Sequence, residues 1–116
     1  MRVHNLYSDA QGESHFRDIE IDLSEPRLGG LLSKPQPVST LMFRQVPPGV
    51  VLDWHNAPER RYAIVLDGRA QFTASDGEAR VLGAGEVILV EDTTGKGHQA
   101  KSLDGPAFRA IFIALS

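Results

Sequence analysis

Residues 15–23, HFRDIEIDL, alternate strictly, with Phe16, Asp18, Glu20 and Asp22 on one side and His15, Arg17, Ile19, Ile21 and Leu23 on the other. A period of two sends successive side chains to opposite faces. The stretch therefore predicts a half-buried strand, with His15 on the buried, isoleucine-bearing face. Further strand-like runs follow at 38–46, 50–55, 61–66, 69–74, 78–82, 86–91, 98–103 and 107–115. Residues 24–37, SEPRLGGLLSKPQP, are rich in Pro and Gly and predict a long connection. No segment sustains a helical period.

The turn signals agree with this all-β reading. Asp67-Gly68 and Asp76-Gly77 each separate two strand-like runs. They predict tight hairpins, because Asp-Gly suits a turn whose two central residues both take positive φ. Gly83-Ala84-Gly85 and Asp104-Gly105-Pro106 predict two more reversals. Many short strands with regular turns predict a sandwich or small barrel. The runs 62–66, 87–90 and 107–115 are apolar on both faces, Arg109 excepted. Such strands need cover on both sides. In a chain this small, that second cover leads us to expect a homodimer.

Composition narrows the partners. A length of 116 residues predicts one domain, 1–116. Twelve Lys and Arg against fifteen Asp and Glu give a net charge of -3 with no basic stretch, which argues against a nucleic-acid partner. Cysteine is absent, so disulfides and thiolate sites are excluded. No signal-type segment opens the chain, and no run approaches the ~20 apolar residues of a membrane span. The expectation is a soluble, cytoplasmic protein that acts on a small molecule, with no membrane partner.

The candidate chemistry lies in polar groups on inward strand faces. In VVLDWH, strict alternation puts Val51, Asp53 and His55 on one face and Val50, Leu52 and Trp54 on the other. Burying a neutral polar group without a partner costs about 2–7 kcal/mol. Such groups must pair, meet water or serve a ligand. The same holds for Arg61, in phase with Ala63 and Val65, and for His98, in phase with Ala100 and Ser102. Taken singly, each is more often a structural residue. Their convergence on one interior is what suggests a site.

These residues also lie in two segments that resemble the paired motifs of the cupin superfamily. Gly49, His55 and Gly68 match the first motif, but Ala57 stands at its second histidine position and Arg61 at its glutamate position. Gly85 begins the second motif, Glu91-Asp92-Thr93 replaces its Pro-x-Gly, and His98 arrives late, through TTGKG. The segments DWHNAP and EDTTGKGH are similar to those of a subgroup of small single-domain bacterial cupins. The resemblance spans nearly the whole chain and implies a cupin-type jelly-roll barrel or sandwich, commonly dimeric. Of four metal-ligand positions in the cupin pattern, only His55 and His98 are kept.

Three readings follow. In the first, His55 and His98 act as general acid and base, and Arg61 clamps a polar or anionic metabolite, with Asp53 and His15 as further substrate contacts. Isomerase, lyase or cyclase chemistry would suit that set. In the second, the same pocket binds without chemistry. In the third, a divalent metal sits at His55 and His98, with His15, Asp53 or Glu59 as a further ligand. Two histidines alone make a weak site, and Arg61 would repel a cation. His4 is expected to have no chemical role, and Tyr62 to be a packing residue.

Overall fold

A computed structural model describes all residues, 1–116. It is built from strands: β1 (Arg2–Ser8), β2 (Ser14–Glu20), β3 (Glu25–Arg27), β4 (Gly30–Leu32), β5 (Val38–Val46) and β6 (Val51–His55) in the first half. The second half adds β7 (Arg61–Asp67), β8 (Ala70–Ala74), β9 (Ala79–Leu82), β10 (Val87–Val90), β11 (His98–Ser102) and β12 (Phe108–Leu115). One sheet has the order β2-β1-β10-β7-β12-β5 and the other β6-β11-β8-β9. This is an all-β jelly roll, with the core between the sheets. No helix is long and apolar enough to cross a membrane.

The predicted runs become strands, with three differences. First, β1 lies in a segment with no clear alternation, and Val3, His4, Asn5 and Leu6 are all buried. It is an interior strand, paired in parallel with β10 and antiparallel with β2, and its run of consecutive buried residues shows that both faces are covered. Second, the predicted connection 24–37 contains a small hairpin, β3–β4. Third, only Asp76-Gly77 closes a hairpin, β8–β9. Asp67-Gly68 carries the chain from one sheet to the other. Neither Asp takes positive φ; only Gly68 (71°) and Gly77 (97°) do. The β8–β9 turn is thus an ordinary turn finished by a left-handed glycine.

The phase of β2 is also corrected. Its buried face holds Ser14 and Phe16, not His15. Asp18 shares the Phe16 side because Arg80 reaches over from β9, donating to Asp18 Oδ1 at 2.7 Å while its guanidinium lies 5.1 Å from the Phe16 ring centre. The same arginine donates to Nδ1 of His4 at 3.0 Å, and His4 Nε2 lies 3.2 Å from Glu86. His4 is therefore part of a structural network.

On the outer face of the large sheet, apolar side chains run in register across the strands. Phe43, Ile111, Ile64 and Val87 make one row, and Leu41, Ile113, Tyr62 and Leu89 the next. Phe43 is 75% exposed and Leu41 55%.

His15 instead clasps the two sheets together at the surface. Its Nε2 lies 2.7 Å from Asp9, in the β1–β2 turn, and its Nδ1 2.8 Å from Asp76, in the β8–β9 turn. Hydrogen bonds to Asp9 and then Asp76 raise the imidazole above its ordinary value of 6.5. The His15 bond lowers Asp9 below its ordinary 3.8, and Asp76 is lowered chiefly by the Glu78 amide. The raised His15 stabilises the fold fully below 6.5 and loses that effect as pH climbs through its higher folded value. The lowered carboxylates contribute above 3.8 and lose their effect as pH falls. We therefore expect His15→Gln to lower the melting temperature most between these two values, with the deficit shrinking toward alkaline pH. Thermal melts across a buffer series would check it.

Candidate functional site

The sheets enclose a cavity because several inward positions carry alanine. Facing sheets pack about 10 Å apart, and side chains as short as Ala63, Ala70 and Ala100 cannot fill that gap. The open space, counting its mouth, is about 610 Å³. Phe72, Phe108 and Phe112 form much of its apolar wall. His55, Arg61 and His98 line it, from β6, β7 and β11 respectively.

His55 faces inward because β6 is bulged. His98 pairs with His55, but Ala100 pairs with Leu52, so β6 spends one residue more than β11 over that interval. Strict alternation breaks, and both Leu52 and His55 reach the cavity. Asp53 and Trp54 are turned outward together. The imidazoles of His55 and His98 end 4.4 Å apart, centre to centre. Gly97 holds this arrangement close: at its φ of 76°, any Cβ would collide with the His55 carbonyl oxygen.

Behind His98 stands a carboxylate that the sequence reading passed over. Asp92 is fully buried, and its Oδ2 lies 2.6 Å from His98 Nδ1. Its Oδ1 is buried without a partner. The Asp92 carbonyl accepts from the Ala57 amide and from the Asn56 side chain, each at 3.2 Å. These bonds tie the loop before β11 to the segment after β6. His55 Nδ1 lies 2.7 Å from its own strand's Asp53 carbonyl and donates to it. Both rings thus have Nδ1 engaged and Nε2 free of protein partners. The available signal was an ionisable residue six before His98, at the end of an apolar run.

Arg61 lies 4.3 Å from the Phe112 ring centre, and Arg44 of β5 lies 5.7 Å from the same ring. Arg44 also lines the cavity and was likewise not singled out, although it is in phase with Val46. Burial lowers the Arg61 guanidinium below its ordinary range. Glu59, 3.7 Å away, opposes that, Arg44 adds to it, and Asp92 opposes it.

Two expected substrate contacts lie elsewhere. Asp53 is exposed and accepts from the Trp54 amide at 2.8 Å and from Gln99 at 3.1 Å, because the bulge rotates it out of the interior. His15 is held at the surface by Asp9 and Asp76. Glu59 pairs with Arg61 but does not line the cavity.

No family model matches the sequence, and no curated protein matches it either. Solved structures do. A cupin-2 domain protein from Shewanella frigidimarina has a TM-score of 0.51 at 21% identity, over 66% of this chain and 69% of that one. The polyketide cyclase RemF from Streptomyces resistomycificus gives 0.54 at 22% identity, over 65% of this chain and 52% of that one. The Cnp3 cupin domain from Schizosaccharomyces pombe gives 0.51 at 15% identity, over 100% and 83%. The fold is the cupin fold. At these identities the likeness concerns architecture alone.

Metal ions occupy the corresponding interior in many cupins, as the resemblance implies. The donors of this cupin fold do not suit one. Ala57, at a ligand position of the pattern, is 3% exposed and packed in the core. Arg61 is a cation. Nowhere do three His, Cys, Asp or Glu side chains gather as ligands. Two imidazoles fall short of the three or four protein ligands a transition metal usually takes.

Two substitutions probe the geometry. Gly97→Ala should destabilise the protein by about 1–3 kcal/mol through backbone strain, read from denaturant unfolding. Asp92→Asn should let the amide donate to His98 Nδ1 and move the ring proton to Nε2. Nitrogen NMR of the imidazoles would report that change of tautomer, and an unchanged spectrum would refute the assignment.

Proposed function

We propose that this cupin-fold protein binds a small polar or anionic metabolite in the histidine- and arginine-lined cavity and catalyses acid–base chemistry on it, of the isomerase, lyase or cyclase type. The observation that carries this reading is the facing His55–His98 pair, with the buried Asp92 carboxylate behind one ring. A carboxylate behind an imidazole orients the ring and compensates the charge it gains on accepting a proton. His98 takes the substrate proton at Nε2. The electron pair left on carbon moves into the adjoining carbonyl, and Arg61 stabilises the resulting oxyanion. For the transfer to balance, His55 acts as an imidazolium: held at Nδ1 by a carbonyl, it gives its Nε2 proton to the neighbouring atom while His98 gains one. The DWHNAP and EDTTGKGH segments supply His55 and the Asp92–His98 pair, so the subgroup they mark would share this chemistry.

The test incubates purified protein with a metabolite extract and follows conversion by mass spectrometry. Folded His55→Ala and His98→Ala variants should each lose about 10²–10⁴-fold in turnover. Full turnover in either would overturn the assignment. A ligand that raises the melting temperature but is recovered unchanged would identify a binding module instead.

We also propose a homodimer. The outer-face rows of β5, β12, β7 and β10 carry apolar side chains, with Phe43 and Leu41 exposed, and a twofold dimer would bury the same patch on both copies. A second copy would supply the cover those two-sided apolar strands lack. Sedimentation should show a dimer at micromolar concentration, and Phe43→Glu should dissociate it. A monomeric wild-type protein would refute the proposal.

A further inference from the structure

We propose that the ligand of this cavity is an amphiphilic monocarboxylate: an apolar, ring-sized or branched body bearing one carboxylate. The inference rests on the reading of the cavity as a ligand site but not on any chemistry there. Two observations lead to it. The first is charge. Arg44 and Arg61 flank one ring, Phe112, from strands on either side of β12. Glu59 pairs with Arg61 at 3.7 Å, whereas Arg44 has no carboxylate within ion-pairing distance. No acidic side chain lines the cavity. The two guanidiniums, both beside this ring, repel each other, since the Arg44 charge is among the causes that lower Arg61. A single incoming carboxylate would meet planar donor forks and offset that repulsion.

The second observation is the nature of the remaining wall. Ten of the sixteen lining residues are hydrophobic. The guanidiniums only donate hydrogen bonds. Ser102 Oγ is already spent, accepting from the Val50 amide at 3.0 Å and donating to the Pro47 carbonyl at 2.5 Å. Lys101 also lines the cavity, on an exposed position out of phase with His98 and Ala100, and its ammonium only donates. No Asn, Gln, Thr or Tyr lines the cavity. Apart from the two imidazoles, no lining side chain offers an uncommitted acceptor to a hydroxyl. A polyol such as a sugar would leave its hydroxyl donors unpaired, which is costly. An apolar body loses nothing there and gains from burial.

Calorimetric or NMR titration with benzoate, acetate, benzyl alcohol and mannose phosphate tests this directly. Benzoate should bind at least about tenfold more tightly than acetate, which lacks the body, and than benzyl alcohol, which lacks the charge. Arg44→Met should weaken benzoate by about tenfold and leave benzyl alcohol unchanged, while Arg44→Lys should fall between, because it keeps charge but loses the fork. Benzoate affinity is read without any turnover, so a failure of the acid–base reading would leave this one standing. The inference is overturned if mannose phosphate binds as well as benzoate. Equal binding of benzoate and benzyl alcohol, no benzoate binding in the millimolar range, or full benzoate affinity in a folded Arg44→Met protein would each overturn it too.

Discussion

One extra residue in β6 governs the interior. Because Ala100 pairs with Leu52 while His98 pairs with His55, the strand turns by one position just before its end. Without that bulge, His55 would follow the outward phase set by Val51 and Asp53, and His98 would stand alone in an apolar wall. With it, the two imidazoles face each other, and the nearby Gly97 locks the distance because no side chain fits against the His55 carbonyl. The loop before β11 is then held by backbone and side-chain bonds from Asp92, Asn56 and Ser14. A site built on paired strands and a braced loop is more rigid than one built on free loops.

The interior shows stability traded for a cavity. Inward alanines at positions 63, 70 and 100 leave space that larger aliphatic residues would fill. The buried Asp92 keeps one carboxylate oxygen without a partner, an arrangement that a purely structural core rarely tolerates. Local rules that are broken together, at one place, tend to mark function. The remaining buried polar groups are better satisfied: Asn5 bonds to the Leu89 carbonyl and Glu91, and Ser14 to the Gly97 carbonyl.

Much of the architecture was legible in the residue pattern. Alternation, apolar runs and turn residues located the strands from residue 14 onward except β3 and β4, and the cupin resemblance anticipated the jelly roll. Arg61 and His98 kept the phase that alternation gave them. β1 was missed because an interior strand covered on both faces has no polar stripe to reveal it. His15 was placed inward because the isoleucines near it suggested a buried face, whereas Phe16 carries the buried face and Arg80 covers its acidic neighbour Asp18. Asp53 was placed inward because a bulge leaves no mark on a six-residue run. Asp92 and Arg44 were visible as charges beside apolar runs, yet nothing local distinguished them from surface charges.

By itself, then, the sequence determined most of the strands after the first, the lack of helix and thiol, and the departures at Ala57 and Arg61 from the cupin metal pattern. These are local or compositional properties, carried by periodicity and residue type. Only the tertiary structure decided that His55 meets His98, that Asp92 stands behind one of them, and that Arg44 joins Arg61 at Phe112. Each of those depends on register between strands distant in the chain, and register is set by long-range pairing, where one inserted residue reverses which face a side chain occupies.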